Sequence, residues 1–379
     1  MALLTVLQFL FILYIVIYLT VNMVHLIKLE PVRGPQKRTP QVSVCVPARN
    51  EERGIEACLT SLLNQDYPNF EVIVVDDGST DGTWRIISRL AEQYTNLVPL
   101  KAPPLKEGWY GKPHALHHAM EHAGGEVLVF TDADPVFEPF ALATAVYNLE
   151  TRELDLLTLM PKAEFGSFWE RVVQPVVFGF IVAKTRLKKV NSTEHKDAIG
   201  FGAFIMIRRK LYEKLGGHES LRQAILEDIG LAKLAKKEGG RCLVADAKKL
   251  FSIRMYHSLE EIWIGWRKNI FLALKRSIWR TLFNVGCLLG FLVTPYFFAG
   301  YHLLAESHWL PLSLSWGGLG LVWLTGTGLC EELGIKRSNQ FLFFLGGLMT
   351  AAIIINSMVF ILKTGSSEWR GRSYASPIK

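Results

Sequence analysis

The chain has a rhythm of short apolar runs, each closed by a polar or glycine-rich turn and most followed by a helical pattern. Residues 41–46, 70–75, 97–100, 127–130 and 154–160 are short and rich in Val, Ile, Leu and Phe, the pattern of buried strands rather than helices. The stretches between them predict helices from the loop 47–52 to about Gln65, over about 83–94, and from Pro113 to about His122. Such alternation predicts an α/β domain with a mostly parallel sheet. Further on, residues 198–207 read as a strand containing Gly200 and Gly202, and glycines inside a strand mark close approach of a ligand or another backbone. Residues 243–245 and 252–257 read as short strands, and a helix begins near Glu227 and ends near Gly239 and Gly240.

A second pattern is the absence of charge. Residues 1–27, 281–305 and 338–362 carry no Asp, Glu, Lys or Arg, nor does the Gly- and Ser-richer 307–330; about 20 apolar residues suffice to cross a bilayer. The chain therefore divides into an anchor (1–27), an α/β domain (28–280), a C-terminal membrane region (281–362) and a tail (363–379). Two aromatic stretches of the domain, about 165–187 and 258–276, read as helices lying in the membrane interface, the first also as an ordinary core helix. Lys28, Arg33, Lys37 and Arg38 follow the first segment and no basic residue precedes it. This favours an uncleaved anchor with residue 28 onward in the cytoplasm. Three further crossings would leave the tail outside, whereas Lys363, Arg370, Arg372 and Lys379 argue for inside. One later segment is thus expected to be interfacial or re-entrant, with 307–330 the candidate.

Composition adds little to this picture. Half of the 379 residues are hydrophobic and the net charge is +7. The basic clusters at 184–189 and 267–280 flank apolar segments and match no nucleic-acid motif, so an anionic lipid surface is their expected partner and nucleic acid is not. The five cysteines have no metal spacing, which fits reduced, structural thiols.

Chemistry enters where the strand 127–130 runs into Asp132 and Asp134. Residues two apart on an extended chain point the same way. Both carboxylates can then face the crevice beyond the sheet's carboxyl end and hold Mg2+ or Mn2+ together with a substrate phosphate; an Asx turn closing the strand is the alternative. The turn after the first strand, Pro47-Ala48-Arg49-Asn50-Glu51-Glu52, has no glycine to admit a pyrophosphate, which argues against a dehydrogenase. Asp77 suits a ribose hydroxyl, a base N–H or a cap. Glu227 and Asp228 open a helix, where acids complement the dipole.

Taken together, the segment from Val44 through Glu52, the run Val75-Asp76-Asp77-Gly78-Ser79-Thr80-Asp81-Gly82-Thr83, the Thr131-Asp132-Ala133-Asp134 turn and the Glu227-Asp228 pair occur in the order of a membrane-bound family-2 glycosyltransferase. The resemblance covers roughly residues 40 to 280. Gly108-Trp109-Tyr110-Gly111-Lys112 is similar to a loop of the group acting on carotenoid acids such as diaponeurosporenoate or associated with hopanoid synthesis. The stretch from Glu368 to Tyr374 resembles a tail motif of the carotenoid-type enzymes and, more distantly, of ceramide glucosyltransferases. Gly265-Trp266-Arg267-Lys268-Asn269 departs from the motif of processive polysaccharide synthases.

The resemblance implies a GT-A fold, a nucleotide-diphosphate sugar donor (UDP foremost), a divalent metal and inversion. Pro47, Ala48, Asn50, Glu51 and Asp77 would hold the nucleoside, Asp132 the ribose or metal, Asp134 the metal, and Lys112 the diphosphate. Asp228 would be the base, and Trp266, Arg267, Arg370 and Arg372 would contact acceptor or phosphate. The expected product is a glycosylated membrane lipid made at the cytoplasmic face. Transfer to a polyprenyl phosphate and a non-catalytic membrane-bound binding module are the competing readings.

Overall fold

Alternation along each strand decides which helix layer a side chain meets. The computed structural model describes residues 1–34, 37–305, 307–369 and 372–375. In the unit formed by Leu26–Glu164 and Arg186–Met255, the strands β1 (Ile27–Lys28), β2 (Val42–Ala48), β3 (Phe70–Asp76), β4 (Leu97–Lys101), β5 (Val127–Phe130), β7 (Leu156–Met160), β9 (Ile205–Arg208) and β10 (Cys242–Asp246) form one sheet in the order β1-β10-β7-β9-β5-β2-β3-β4. Val44, Val46, Val72 and Val74 pack on α2 (Ile55–Leu63), α3 (Thr83–Ala91) and α5 (Ala141–Thr151). Their neighbours Cys45, Ile73 and Val75 join the opposite cluster with α4 (Gly111–Met120) and α9 (Glu227–Lys237). Burial on both faces is why these strands read as continuous apolar runs.

All pairings in this sheet are parallel except those of β9, which runs antiparallel between β5 and β7. The chain leaves β2 toward β3 on one side and returns to β5 on the other, so the sheet has its switch point there. The register pairs Cys45 with Phe130, which sets the loops that follow β2 and β5 side by side at the carboxyl edge, where such sheets bind ligands. A small second sheet joins β6 (Val136–Phe137), β11 (Phe251–Ile253) and β8 (Lys162–Ala163), and the short helices α7 (Leu187–Val190) and α8 (Arg209–Lys214) complete the unit.

The strand expected over 198–207 is corrected: only Ile205–Arg208 is extended, and Gly200 and Gly202 lie in the loop before it. The backbone there bonds elsewhere. The Phe201 N–H donates to Thr158 Oγ1 at 2.9 Å, the Gly202 N–H to Asp228 Oδ2 at 2.9 Å, and the Gly202 carbonyl accepts from Asp132 N–H at 3.2 Å. The strand read over 252–257 likewise shortens to Phe251–Ile253.

The other unit, Met1–His25, Phe165–Thr185 and Tyr256–Lys379, is helical. It holds α1 (Ala2–Val24), α6 (Phe168–Lys184), α10 (Leu259–Ala273), α11 (Ile278–Leu292), α12 (Thr294–Leu304), α13 (Trp309–Glu332) and α14 (Phe343–Thr364), then the hairpin β12 (Ser366–Trp369) and β13 (Arg372–Ala375). Among the described residues, Ala2–Val24 and Arg337–Thr364 are long and apolar enough to cross a membrane, and α11 with α12 makes a third candidate bent by 44°. Segment 307–330, expected to be interfacial or re-entrant, lies mostly in the unbroken 24-residue helix Trp309–Glu332, which is not among these candidates. A break falls at Val293, where Pro295 in the first turn of α12 has no N–H to continue the ladder. Glu170, which interrupts the apolar stretch of α6, closes a capping box with Ser167. The α11–α12 pair runs antiparallel to α1, with Thr5 Oγ1 2.7 Å from His302 Nε2 and Gln8 Nε2 2.6 Å from Thr294 Oγ1.

Candidate active site

Two loops clasp each other at the carboxyl edge of β2 and β3. Asn50 takes the left-handed conformation at φ 54, which Asn tolerates better than most residues. Its side-chain oxygen accepts from Thr80 N–H at 2.8 Å, and its own N–H donates to Ser79 Oγ at 3.0 Å. Glu51 N–H donates to Thr83 Oγ1 at 2.8 Å and Glu52 Oε2 accepts from Gly82 N–H at 3.1 Å. Pro47 and Ala48 end β2, and the Ala48 carbonyl accepts from the N–H of the buried Asp77 at 2.8 Å. Much of the motif that sequence reading assigned to the nucleoside thus also fixes the shape of the edge.

Beyond β5, Asp132 meets Lys112 from the first turn of α4: Nζ stands 2.6 Å from Asp132 Oδ1 and 2.6 Å from Glu227 Oε1. Surrounding carboxylates, led by Asp132, hold the ammonium well above its ordinary pKa against the effect of burial. Asp228, next to Glu227 at the start of α9, is fixed by two backbone N–H groups, Gly202 on Oδ2 and Ile229 on Oδ1 at 2.7 Å. Burial first, then the Glu227 charge, pushes its carboxyl up to about 7.

Gly202 is the hub. A Cβ there would stand 3.0 Å from Lys112 Nζ, 3.2 Å from Asp132 Oδ2 and 3.5 Å from Asp228 Oδ2. At Gly200 a Cβ would collide with the Asp228 carbonyl at 2.2 Å. The close approach that glycine implied is real, with α9 and its acids as the neighbour.

Asp134 lies against the start of α2, its Cα and Cβ 3.5 Å from where a Gly54 Cβ would be. Burial, then repulsion from Asp132 and Glu51, pushes its carboxyl up to about 8. Three carboxylates crowded in this way are a site short of positive charge, and hard oxygen donors suit Mg2+ or Mn2+. Asp132 and Asp134 are the residues that would offer oxygens to such an ion.

Sequence reading missed Glu227 as the second anchor of Lys112, because helix-dipole complementarity already explained an acid there. It also missed His218, buried under the cleft and bonded through Nδ1 to Tyr212 Oη at 2.9 Å. Burial pushes that imidazole down to about 3, so it is a neutral wall, lining a pocket with Lys112, Phe130, Glu227 and Asp228.

Trp266 and Arg267 belong to the helical unit. Trp266 is buried between Phe178 and Tyr256, ring centroids 6.0 and 5.9 Å away, and the Arg267 guanidinium sits 4.1 Å above the Phe360 ring. Arg372 begins β13, paired with Trp369; Arg370 lies outside the described residues.

Residues 43–216 match the family described as Glycosyl transferase family 2. A 4,4'-diaponeurosporenoate glycosyltransferase of Staphylococcus aureus is 30% identical over 239 residues, 60% of this chain and 60% of the relative, so the alignment spans under two thirds of that protein. Among solved structures, the mannosyltransferase PcManGT from Pyrobaculum calidifontis, in complex with GDP-Man and Mn2+, superposes with a TM-score of 0.56 at 21% identity, covering 95% of this chain and 97% of that one. At that identity the likeness speaks for the fold, which is GT-A. Residues 43–216, with their ordered acidic motifs at the edge of a GT-A sheet, match a glycosyl transferase family 2 domain.

Proposed function

We propose that the chain is an inverting, metal-dependent glycosyltransferase that moves a sugar from a nucleotide-diphosphate sugar to a membrane lipid. The observation that carries this reading is the convergence of Lys112, Asp132 and Asp228 within 3.5 Å of one point at Gly202, with Asp134 close by in the next turn. Lys112 offers a point charge to a leaving diphosphate once substrate draws it from Asp132 or Glu227. A divalent cation on Asp134 and Asp132 would supply further neutralisation of that charge. Asp228, its carboxyl pushed up to about 7, is matched to take a proton from an acceptor hydroxyl near neutral pH. Pro47, Ala48 and Asp77, on the edge shaped by Asn50 and Glu51, would receive the nucleoside, UDP being the first candidate.

The acceptor class rests on the apolar helices and on the likeness to a carotenoid-acid enzyme. A carboxylate acceptor has no proton to lose, whereas a hydroxyl acceptor does, so the need for Asp228 distinguishes them. A multi-pass arrangement is supported by the antiparallel course of α11–α12 along α1, and the basic residues that follow the first segment favour the cytoplasmic face for the α/β unit. The multi-pass arrangement is also supported by the packing of the last turns of α14 on α10, where Ser357 bonds Phe271 N–H at 3.1 Å.

The test is a screen of nucleotide sugars for metal-dependent thermal stabilisation in detergent, followed by incubation of the best radiolabelled donor with a lipid extract and mass spectrometry of the product. A glycosylated neutral or acidic lipid supports the reading. A glycosyl polyprenyl phosphate would move the chain to the competing class, and no donor-dependent stabilisation would return it to a binding module.

A further inference from the structure

At the far end of the helix that begins with Lys112, a second constellation of ligating groups lies outside the cleft. His118, Glu121 and His122 each present a ligand atom, and these atoms all lie within 4.8 Å of one another. His118 is in the last turn of α4, and Glu121 and His122 lie in the tight turn that follows it, where their N–H groups bond the His118 and Ala119 carbonyls at 3.2 and 3.1 Å; this helix-like course keeps positions i, i+3 and i+4 on one face. His118 Nδ1 is 2.7 Å from Glu121 Oε2, and the two imidazole rings stand edge to face with centroids 5.2 Å apart. The carbonyls at a helix C-terminus add negative potential for a cation. Glu121 and His122 are exposed and His118 is partly so, which leaves the side chains room to close on an ion.

The donor set differs in kind from that of the cleft. Asp132 and Asp134 offer hard oxygens, whereas two imidazoles with one carboxylate select borderline transition metals. We propose that the C-terminal end of α4 and the turn after it form a binding site for a zinc-class divalent ion, held by His118, Glu121 and His122 with water completing its coordination, and separate from the cation site of the cleft. A metal bridging His118 and His122 fastens the end of the helix whose first turn carries Lys112, because the binding energy of a metal held only by the folded turn adds to its stability.

The experiment is a zinc titration of the full chain in detergent, with saturating magnesium present, read by calorimetry and thermal unfolding, with cobalt absorption as a spectroscopic probe. The expected result is one saturable site per chain that raises the unfolding temperature. Loss of even an outer-shell partner costs a metal site about 10–100-fold in affinity, so His118→Ala and His122→Ala should each weaken zinc by at least about tenfold. Asp134→Ala should leave this zinc site as it is. Magnesium-dependent stabilisation of the histidine variants reports that they are folded. The proposal is overturned if zinc gives no saturable stabilisation, if folded His118→Ala and His122→Ala bind zinc like the parent chain, or if Asp134→Ala abolishes the zinc response.

Discussion

The two units bury polar groups for opposite purposes. The α/β unit buries charge: Glu227, Asp76, Asp77, Asp246 and Lys236 are nearly inaccessible, and burial pushes Asp134 and Asp228 up to about 8 and about 7. The helical unit buries neutral groups. Among its described residues, Thr5, Asn22, Gln174, Thr281, Asn284, Ser315, Thr350 and Ser357 are buried, and the buried carboxylate, Glu170, has both oxygens bonded to the backbone N–H groups of Gly166 and Ser167. A buried charge that is not fully compensated costs stability, and the raised carboxyl of Asp228 beside Gly202 is the kind of group that the proposed chemistry would use. In the helical unit polar atoms join helices: Ser357 bonds Phe271 N–H and the Arg267 carbonyl, and Asn356 bonds the Trp263 ring N–H.

The sharpest way to test this contrast is to remove the proposed base. Asp228→Asn keeps the shape and is expected to lower transfer to a hydroxyl acceptor by about 10²–10⁴-fold, measured as kcat with radiolabelled donor, with donor binding little changed. If the physiological acceptor is a carboxylate, the same variant should retain most of its rate.

Next in size is Gly202→Ala. A methyl group 3.0 Å from Lys112 Nζ and 3.2 Å from Asp132 Oδ2 makes both groups give way by a few tenths of an ångström. A loss of about 1–3 kcal/mol in stability should accompany a larger loss of activity. A variant with full turnover would show that these groups do not act together.

The charge shortage itself is testable through pH. Asp134 and Asp228 are raised from 3.8 to about 8 and about 7. The native state therefore binds more protons than the unfolded chain between these limits, and metal-free stability should fall as pH rises across that window and level off above it. Mn2+ should raise the unfolding temperature more at pH 8 than at pH 6, and Asp134→Asn should flatten both trends. A metal-free stability that rises over the same range would contradict the arrangement.

The smallest effects belong to the helical unit. Ser357→Ala removes partners of Phe271 N–H and the Arg267 carbonyl and should cost about 1–3 kcal/mol without altering donor binding. The Trp266 ring N–H is buried with no partner among the described residues, so in Trp266→Phe the relief of an unsatisfied donor offsets part of the packing lost to the smaller ring, and the net cost should be no more than about 1–2 kcal/mol. If Trp266 contacts the acceptor, that variant will raise the acceptor KM alone.

Much of the fold was legible because its signals are local. The runs at 41–46 and 70–75 became β2 and β3, and the acids followed β5 where the apolar run stops. The loop around Gly200 was misread because its backbone partners, Thr158, Asp132 and Asp228, are distant in sequence. The break at Val293 was hidden by an uninterrupted apolar composition, although Pro295 was its local cause.

The sequence by itself determined the strands near 41–46, 70–75, 97–100, 127–130 and 154–160, where the sheet ends in carboxylates, and that uncharged segments precede and follow the α/β domain along the chain. These follow from side-chain periodicity and from residue types that admit few backbones. Only the tertiary structure decided that Lys112 is shared by Asp132 and Glu227, that Gly202 orients Asp228, and that the first carboxyl edge is a mutual clasp around Asn50. Each of those depends on strand order and register, which bring together groups separated by tens of residues and thereby set the field that each charge feels.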